Sequence, residues 1–520
     1  MPPAPVDLLL PAGLDGADAL ALLESRLRLE IGGARNRDRV LLDSFDGRLR
    51  AAGLGAERAA ARRGTATIEL REAGAPVRRA QVTPARRHLT HELPEGAVRE
   101  RLVPVLEERA LLPMARVRSS VRSLAVLNGD EKSVVRLSIE APVAILATGR
   151  VPLATRLSVR PVLGYDGPYE RTLAALRDEL GLQAAKRSLY DDAVRAAGGK
   201  PRGVATKVRV PLAPGTHTDA AAALVLRRLA KVAEANVAGA VEDLDPEFLH
   251  DLRVSIRRAR AVLRELRGVL EPRERARLRD ELKWAQALTG PVRDLDVQLL
   301  EWPELTDALD GARGPELEPL RALLERRRAR ERVKLARGLR SARFAGMLAA
   351  WRALADGRPA GDEKATPRAV LPIERTAGGR IVKVYRRMVR DGRAIGRDSP
   401  PEALHDLRKR GKELRYLLEL FGGAFEDDTV EETVKALKGL QTVLGRFQDR
   451  AVQIESLRAL RDELAGERDG PAALIALGPV LDLLGADQAA AREEFEERFE
   501  AFAAKPRRKA VRAAFGGRGR

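Results

Sequence analysis

The chain has no cysteine, five histidines and only 3% aromatic residues, and no uninterrupted apolar run approaches the roughly 18 residues that a membrane-spanning helix needs. The missing cysteines exclude disulfides, thiolate metal sites and a cysteine nucleophile, and they are compatible with a reducing compartment. The opening residues MPPAPVDLLLPAG hold neither a basic stretch nor a long apolar one, so no export signal and no membrane association are expected. The cytoplasm is the expected location. Few aromatics leave few platforms on which single-stranded bases could stack, which weighs against RNA or single-stranded DNA as the ligand.

Positive charge is abundant. The 520 residues carry 94 Lys+Arg against 75 Asp+Glu, a net charge of +19, and 79 of the basic residues are arginine. Such an excess attracts polyanions: nucleic acid, anionic membrane or inorganic phosphate polymers. A chain this rich in Arg, Ala, Leu and Gly also carries charge through composition alone, so placement of the cations matters more than their number. The length predicts two or three domains, each with its own core.

The first 197 residues read as mainly β. In T65-A-T-I-E-L-R71 apolar and polar residues alternate with the period of a half-buried strand, and R156-L-S-V-R160 repeats the pattern. Two β-rich runs flank Asn128-Gly129, a hairpin signal, and a helix is expected from about Pro168 to Leu180. An antiparallel barrel or curled sheet accounts for these elements. Residues 198–218 read as a Gly/Pro linker. Residues 219–504 are helical, with a Gly/Pro-rich break separating 219–356 from 368–504. Residues 505–520, with seven basic groups and no acid, read as a mobile basic tail.

The two helical halves repeat each other at an offset of 155. L249-H-D-L-R253 recurs as L404-H-D-L-R408, and the register holds without insertion through Arg257/Lys412, Arg260/Arg415, Lys283/Lys438, Gln286/Gln441, Gly290/Gly445 and Asp294/Asp449. A duplicated unit is expected, with two bundles related by a pseudo-twofold axis. His250, Arg253, Arg257, Arg260, Arg264 and Arg267 are spaced by three and four, so a helix places them on one stripe. Leu249, Leu252, Ile256, Ala259, Leu263 and Leu266 keep the same spacing one residue earlier, about 100° away. The cations therefore border the core. His405, Arg408, Lys412 and Arg415 repeat the stripe, which Glu419 ends. Rows of like charge repel themselves, by about 0.2–0.5 kcal/mol per pair and more when desolvated, and become favourable when a repeating anion lies between them. Asp294 and Asp449 either orient these cations as second-layer partners or cap and pair locally. A chelating role for His250 and His405 has no local cluster behind it, so neither a metal nor a catalytic residue is expected here.

The segments LHDLRVSIRRARAVLREL and LHDLRKRGKELRYLLELF, with LKWAQALTGPVRDLDV and LKGLQTVLGRFQDRAV downstream, resemble the CHAD family, the conserved-histidine α-helical domain, over about residues 219–504. The resemblance implies two four-helix bundles and a basic groove that binds inorganic polyphosphate, often with recruitment to polyphosphate granules. The ligands it implies are His250, Arg253, Arg257, Arg260, His405, Arg408, Lys412 and Arg415; Lys283 and Lys438 follow from the offset. The N-terminal half resembles a divergent CYTH domain, a β tunnel that hydrolyses triphosphates with a metal. The similarity lies in L41-L-D-S-F-D-G-R-L-R-A-A-G53, R116-V-R-S-S-V-R122 and G164-Y-D-G-P-Y-E-R171. That family's opening strand has Glu-x-Glu-x-Lys, and the counterpart here, Asp7-x-Leu9-x-Pro11, keeps one carboxylate.

The fold expected is thus multidomain α+β: an antiparallel β barrel or tunnel, then an all-α domain of two duplicated four-helix bundles. The expected function is noncatalytic polyphosphate binding without a cofactor. One alternative is a metal-dependent triphosphatase in the N-terminal unit, with Glu140 or Glu69 replacing the missing carboxylates; another is unspecific nucleic-acid binding. Arg116, Arg118, Arg122, Arg136, Arg156 and Arg160 either line the tunnel or sit outside it.

Overall fold

A computed structural model describes every residue except 1–4, 12, 15, 60–63, 207, 209, 309–314, 358–363, 426 and 517–520. Part of the break between the helical halves and the end of the basic tail therefore lie outside the described residues. The chain forms two compact units, Met1–Ala205 and Thr206–Arg520.

The first unit is built on one antiparallel sheet. Its strands are β1 (Val6–Leu9), β2 (Leu29–Asp43), β3 (Leu54–Ala59), β4 (Ala66–Glu72), β5 (Arg78–Val82), β6 (Leu112–Leu127), β7 (Ser133–Leu146), β8 (Gly149–Pro152), β9 (Arg156–Pro161) and β10 (Gln183–Ala184). The helices α1 (Gly16–Glu24), α2 (Arg48–Ala51), α3 (Ala97–Leu106), α4 (Asp166–Ala174) and α5 (Leu189–Ala196) are interspersed. The hairpin expected at Asn128 joins β6 to β7 through a five-residue connection, in which the Asn128 side chain accepts hydrogen bonds from the amides of Asp130 and Lys132. The helix expected near Pro168 begins at Asp166 and continues as a wider turn through Glu179.

The strand order is β10-β1-β9-β7-β6-β2-β3-β4-β5, with β8 added to β7. Among the described residues β5 and β10 do not pair, so the sheet is open and the expected closed barrel is corrected. Closure needs two edge strands that can meet in register. Here one edge is two residues long and the other carries Arg78 and Arg79. Alternation sorts the two faces. Ile68 and Leu70 of β4 enter a core with Val98 and Leu102 of α3, while Leu137, Ile139, Leu157 and Val159 pack with Leu20 and Leu23 of α1. The residues between them, Glu69 and Arg71, Arg136 and Glu140, Arg156 and Arg160, fall on the opposite, polar face.

The second unit is helical: α6 (Thr218–Glu242), α7 (Pro246–Glu265), α8 (Pro272–Leu300), α9 (Trp302–Asp307), α10 (Glu318–Leu339), α11 (Ala342–Asp356), α12 (Ile373–Arg393), α13 (Pro401–Phe421), α14 (Asp427–Arg458), α15 (Arg461–Ala465), α16 (Gly470–Ala503) and α17 (Lys505–Phe515). Three starts coincide at the offset of 155: Thr218 with Ile373, Pro246 with Pro401, and Pro272 with Asp427. The α7 start is set by Asp245, whose carboxylate accepts the amides of Glu247 and Phe248, and by Pro246 in the first turn. All six apolar residues of the α7 stripe are buried, as are Leu404, Leu407, Leu414, Leu418 and Phe421 of α13.

One sequence expectation changes here. Residues 505–515 form α17, which buries Val511 and Phe515 and sets the Phe515 ring edge-on to Phe425, so this part of the basic tail is anchored by apolar contacts. Among the described helices, α16 is long and apolar enough to cross a membrane by length and composition, a property that core helices share. In the fold, Ala473, Leu477, Val480 and Leu484 of α16 pack into a core with Leu320 and Leu324 of α10 and Leu457 of α14.

Close approach of α6 and α7 depends on Gly239, where a Cβ would overlap the buried Phe248 ring. Alanine gains about 1 kcal/mol in helix propensity, and overpacking costs about 1–3 kcal/mol. Gly239→Ala is expected to lose up to about 2 kcal/mol net, read as a lowered urea midpoint with an unchanged m value.

Candidate functional site

Helix α7 lies between α6 and α8, and α13 between α12 and α14. Burial of their apolar stripes fixes the rotation of both helices about their axes, so the neighbouring cationic stripes emerge where α7 meets α13. Arg258 of α7 and Glu419 of α13 are 2.6 Å apart, and Arg264 and Glu413 are 4.0 Å apart. These contacts are reciprocal: adding 155 to 258 and 264 gives 413 and 419. The same holds for Gln298, which donates to Ser456 at 3.0 Å, and Gln453, which donates to Glu301 at 2.7 Å.

The cations meet at this crossing. Lys412 has its ammonium pushed down to about 8, first by burial and then by the positive charges of Arg408 on its own helix and of Arg257 and Arg253 on α7. Asp449 acts in the opposite sense. Arg253 is pushed down to about 10 by burial and by the Arg257 and Arg293 charges, against the pull of Asp294. The Arg253 guanidinium donates to the Gln286 carbonyl at 3.2 Å and to Thr289 Oγ1 at 3.1 Å, both neutral acceptors. Arg408 donates to Asp449 Oδ1 at 2.7 Å. Burial raises the carboxyls of Asp294 and Asp449 despite the cations beside them, and Asp449 adds to the rise at Asp294. Asp449 pairs with Arg408, and the charges of Arg253 and Arg293 act on Asp294.

The other sequence candidates diverge. Arg260 donates to Gln286 Oε1, and Arg415 donates to Glu419 at 2.6 Å and more weakly to Gln441 at 3.4 Å. His405 Nδ1 hydrogen-bonds the Gln448 amide oxygen, and His250 is half-buried near the start of α7. Arg264 is exposed and contacts Glu265. Lys283 and Lys438 are exposed on α8 and α14, and among the described residues nothing ties them to the central cluster. Arg293 was missed by sequence reasoning. It lies one residue before Asp294, bears on both Arg253 and Asp294, and escapes the repeat because its counterpart is Gln448. Among the described residues no group of His, Asp and Glu is arranged to hold a metal ion.

The polar face of the N-terminal sheet lines a separate cavity of about 540 Å³ that includes Asp7, Glu30, Arg136, Glu140, Arg156 and Arg160. Of the arginines with two possible placements, Arg136, Arg156 and Arg160 thus face the cavity. Arg116 and Arg118 point to the other side, where both bind Asp38, at 2.8 and 3.0 Å. Arg122 shares their strand parity. The carboxylates nominated for a metal are already engaged. Glu140 accepts from Arg39, and Glu69 from Arg71 at 2.6 Å, Arg79 at 2.9 Å and Arg37 at 3.3 Å. This donor set does not fit the metal site that the CYTH resemblance implies, and no metal-dependent step is derived from it.

Residues 223–458 match the family model of the CHAD domain. The helical unit contains a CHAD domain. Two uncharacterized proteins of Mycobacterium tuberculosis, from different strains, are each 31% identical over 233 residues, which is 42% of this chain and 42% of theirs. The match therefore spans less than half the length of these relatives. Among solved structures, the CHAD domain from the plant Ricinus communis is 24% identical with a TM-score of 0.47, covering 57% of this chain and 96% of its own. PptA from Streptomyces chartreusis is 20% identical with a TM-score of 0.45, covering 55% and 100%. The CHAD match takes in both cationic stripes, from His250 to Arg415.

Lys412 makes the unliganded CHAD domain pH-sensitive. Its folded value of about 8 lies below the ordinary lysine value of 10.5, so between those limits the unfolded chain holds the proton more tightly. The Lys412 penalty is then full below about pH 8 and fades as pH rises toward the ordinary value. Lys412→Met is expected to melt higher than wild type near about pH 7, with the gap closing by about pH 10. Paired thermal scans across this range measure it.

Proposed function

We propose that this protein binds inorganic polyphosphate, without cleaving it, in a basic groove where α7 and α13 of two pseudo-twofold-related helical bundles meet. The observation that carries this reading is the desolvated cluster of Lys412, Arg408, Arg257 and Arg253, in which Asp449 and Asp294 cannot balance the positive charge. Four cations from two helices repel one another until an anion enters, and a chain with a negative charge at every repeat neutralises all of them together. Arginine supplies forked donors to phosphate oxygens and lysine a compact point charge. The CHAD match supports the same reading, because the family is associated with polyphosphate binding. The reciprocal contacts Arg258/Glu419 and Arg264/Glu413 support the pseudo-twofold relation, since a twofold contact pairs i with j′ and j with i′. Recruitment to polyphosphate granules in the cytoplasm would follow from binding alone.

In this reading the N-terminal unit performs no hydrolysis, because Glu140 and Glu69 are held by arginines and β1 offers Asp7 alone. Nucleic acid shares the charge of polyphosphate but is a stiffer and wider ligand when duplex.

Long-chain polyphosphate titrated into the full chain is expected to bind with micromolar or tighter affinity. With four phosphate contacts at a slope of about 0.7 each, affinity should fall about 50-fold between about 50 and 200 mM salt. Replacing Arg253, Arg257, Arg408 and Lys412 together by alanine should abolish binding. Unchanged affinity in that variant, or displacement of polyphosphate by duplex DNA at equal charge concentration, would refute the assignment.

A further inference from the structure

The two halves of the CHAD domain are not equivalent beyond the central cluster. On the first half, α7 and α8 run antiparallel and are stitched by arginines along their length. Arg253 reaches the Gln286 carbonyl, Arg260 the Gln286 side chain, and Arg275 donates to the Leu263 carbonyl at 2.9 Å. These bonds bring Arg260, Arg264 and Arg267 from the α7 side beside Arg275 and Arg279 from α8. The proximity is electrostatic as well: Arg264 and Arg279 both act on Arg260, and Arg267 and Arg279 both act on Arg275. Arg264, Arg267 and Arg279 are exposed, and Arg260 and Arg275 half-buried.

At the same positions of the second half, 155 residues on, stand Arg415, Glu419, Gly422, Val430 and Val434. Five cations become one cation, one acid and three uncharged residues. Glu419 binds both Arg415 and Arg258 at 2.6 Å, so this end is neutralised internally. On the first half the acids with ion pairs among the described residues reach two of the five cations, Arg264, which also faces Glu413 at 4.0 Å, and Arg279. Glu265 is buried and shared between Arg264 and Arg380, and Asp280 is an exposed neighbour of Arg279, a pairing worth little in water.

We propose that the basic track is one-sided: a linear polyphosphate chain seated on the central cluster leaves it over the first half only, along the valley formed by Arg260, Arg264, Arg267, Arg275 and Arg279. From Arg253 in the central cluster to Arg264 in the valley is about 16 Å along α7, so a ligand that fills the centre does not reach the valley's outer end. This makes the first half a chain-length sensor, because only long chains collect the outer contacts. The inference rests on the proposed polyphosphate reading and adds residues, Arg275 and Arg279, and a direction to it.

The test pairs two ligands with two triple variants of the full chain. Tripolyphosphate probes the centre and long-chain polyphosphate the centre plus the valley. Arg267→Gln, Arg275→Gln and Arg279→Gln combined should weaken long-chain binding at least tenfold more than tripolyphosphate binding, and lower the salt slope for the long chain by about 2. Arg386→Gln, Arg387→Gln and Arg390→Gln, which remove three exposed charges from α12, should weaken the long chain less than threefold. Equal losses in the two triples would assign the effect to bulk charge and overturn the one-sided track, as would equal losses for both ligands in the first triple. If neither ligand responds to Lys412→Met with Arg257→Gln, the central reading itself fails. Should the first triple melt early through loss of the Arg275–Leu263 bond, the Arg267→Gln/Arg279→Gln double variant keeps that bond and should show the same ligand dependence.

Discussion

The helical unit is governed by a conflict between two stripes on the same helices. Burying Leu249, Leu252, Ile256, Ala259 and Leu263 fixes how α7 is rotated, and Leu404, Leu407, Leu414 and Leu418 do the same for α13. Each of these leucines, like Ile256, contributes about 1.5–3 kcal/mol when buried, which far exceeds the few tenths lost per like-charge pair on a helix surface. Hydrophobic burial therefore wins, and it carries Arg253, Arg257, Arg408 and Lys412 into partial desolvation beside one another. The basic cluster is a consequence of packing that the charges alone would oppose.

The fold limits this repulsion with two devices. Neutral acceptors, the Gln286 carbonyl and Thr289 hydroxyl for Arg253, occupy donors without removing positive charge. Carboxylates are admitted mainly at the seam, where Glu413 and Glu419 meet Arg264 and Arg258 and hold the two helices together. The sheet unit solves a similar problem differently. On its polar face Arg37, Arg39 and Arg71 are matched by Glu57, Glu69 and Glu140. The central cluster of the helical unit stays underneutralised while these sheet arginines are paired internally, although both units present arginine at a regular spacing.

Much of this was legible from residue spacing. The three-and-four spacing of His250 to Arg264 identified a single helical face, Arg267 falling in the turn past the end of α7 at Glu265, and the 155-residue register located its counterpart and the aspartate pair. Strand alternation at Ile68 and Leu70 gave the buried face of β4. Arg293 was not legible, because its importance arises from lying beside Arg253 across the α7–α8 contact and its repeat counterpart is glutamine. The basic segment after Ala504 reads as a tail because five cations dominate its first eight residues, yet two apolar side chains, Val511 and Phe515, are enough to dock it once Phe425 is in place. Sheet closure was equally hidden, since it depends on whether the edge strands β5 and β10 meet, and no local pattern encodes that.

The sequence by itself determined which side chains share a face, because helical and strand periods are local and fixed by backbone geometry. Tertiary structure decided which of those cations stay charged and underneutralised. Glu419 reaches Arg258 only where α7 crosses α13, and Lys412 meets Arg257 and Arg253 only there. The angle and depth of that crossing are set by the summed packing of apolar side chains far apart in the chain, so the electrostatics of the site follow from contacts that no single stretch of sequence contains.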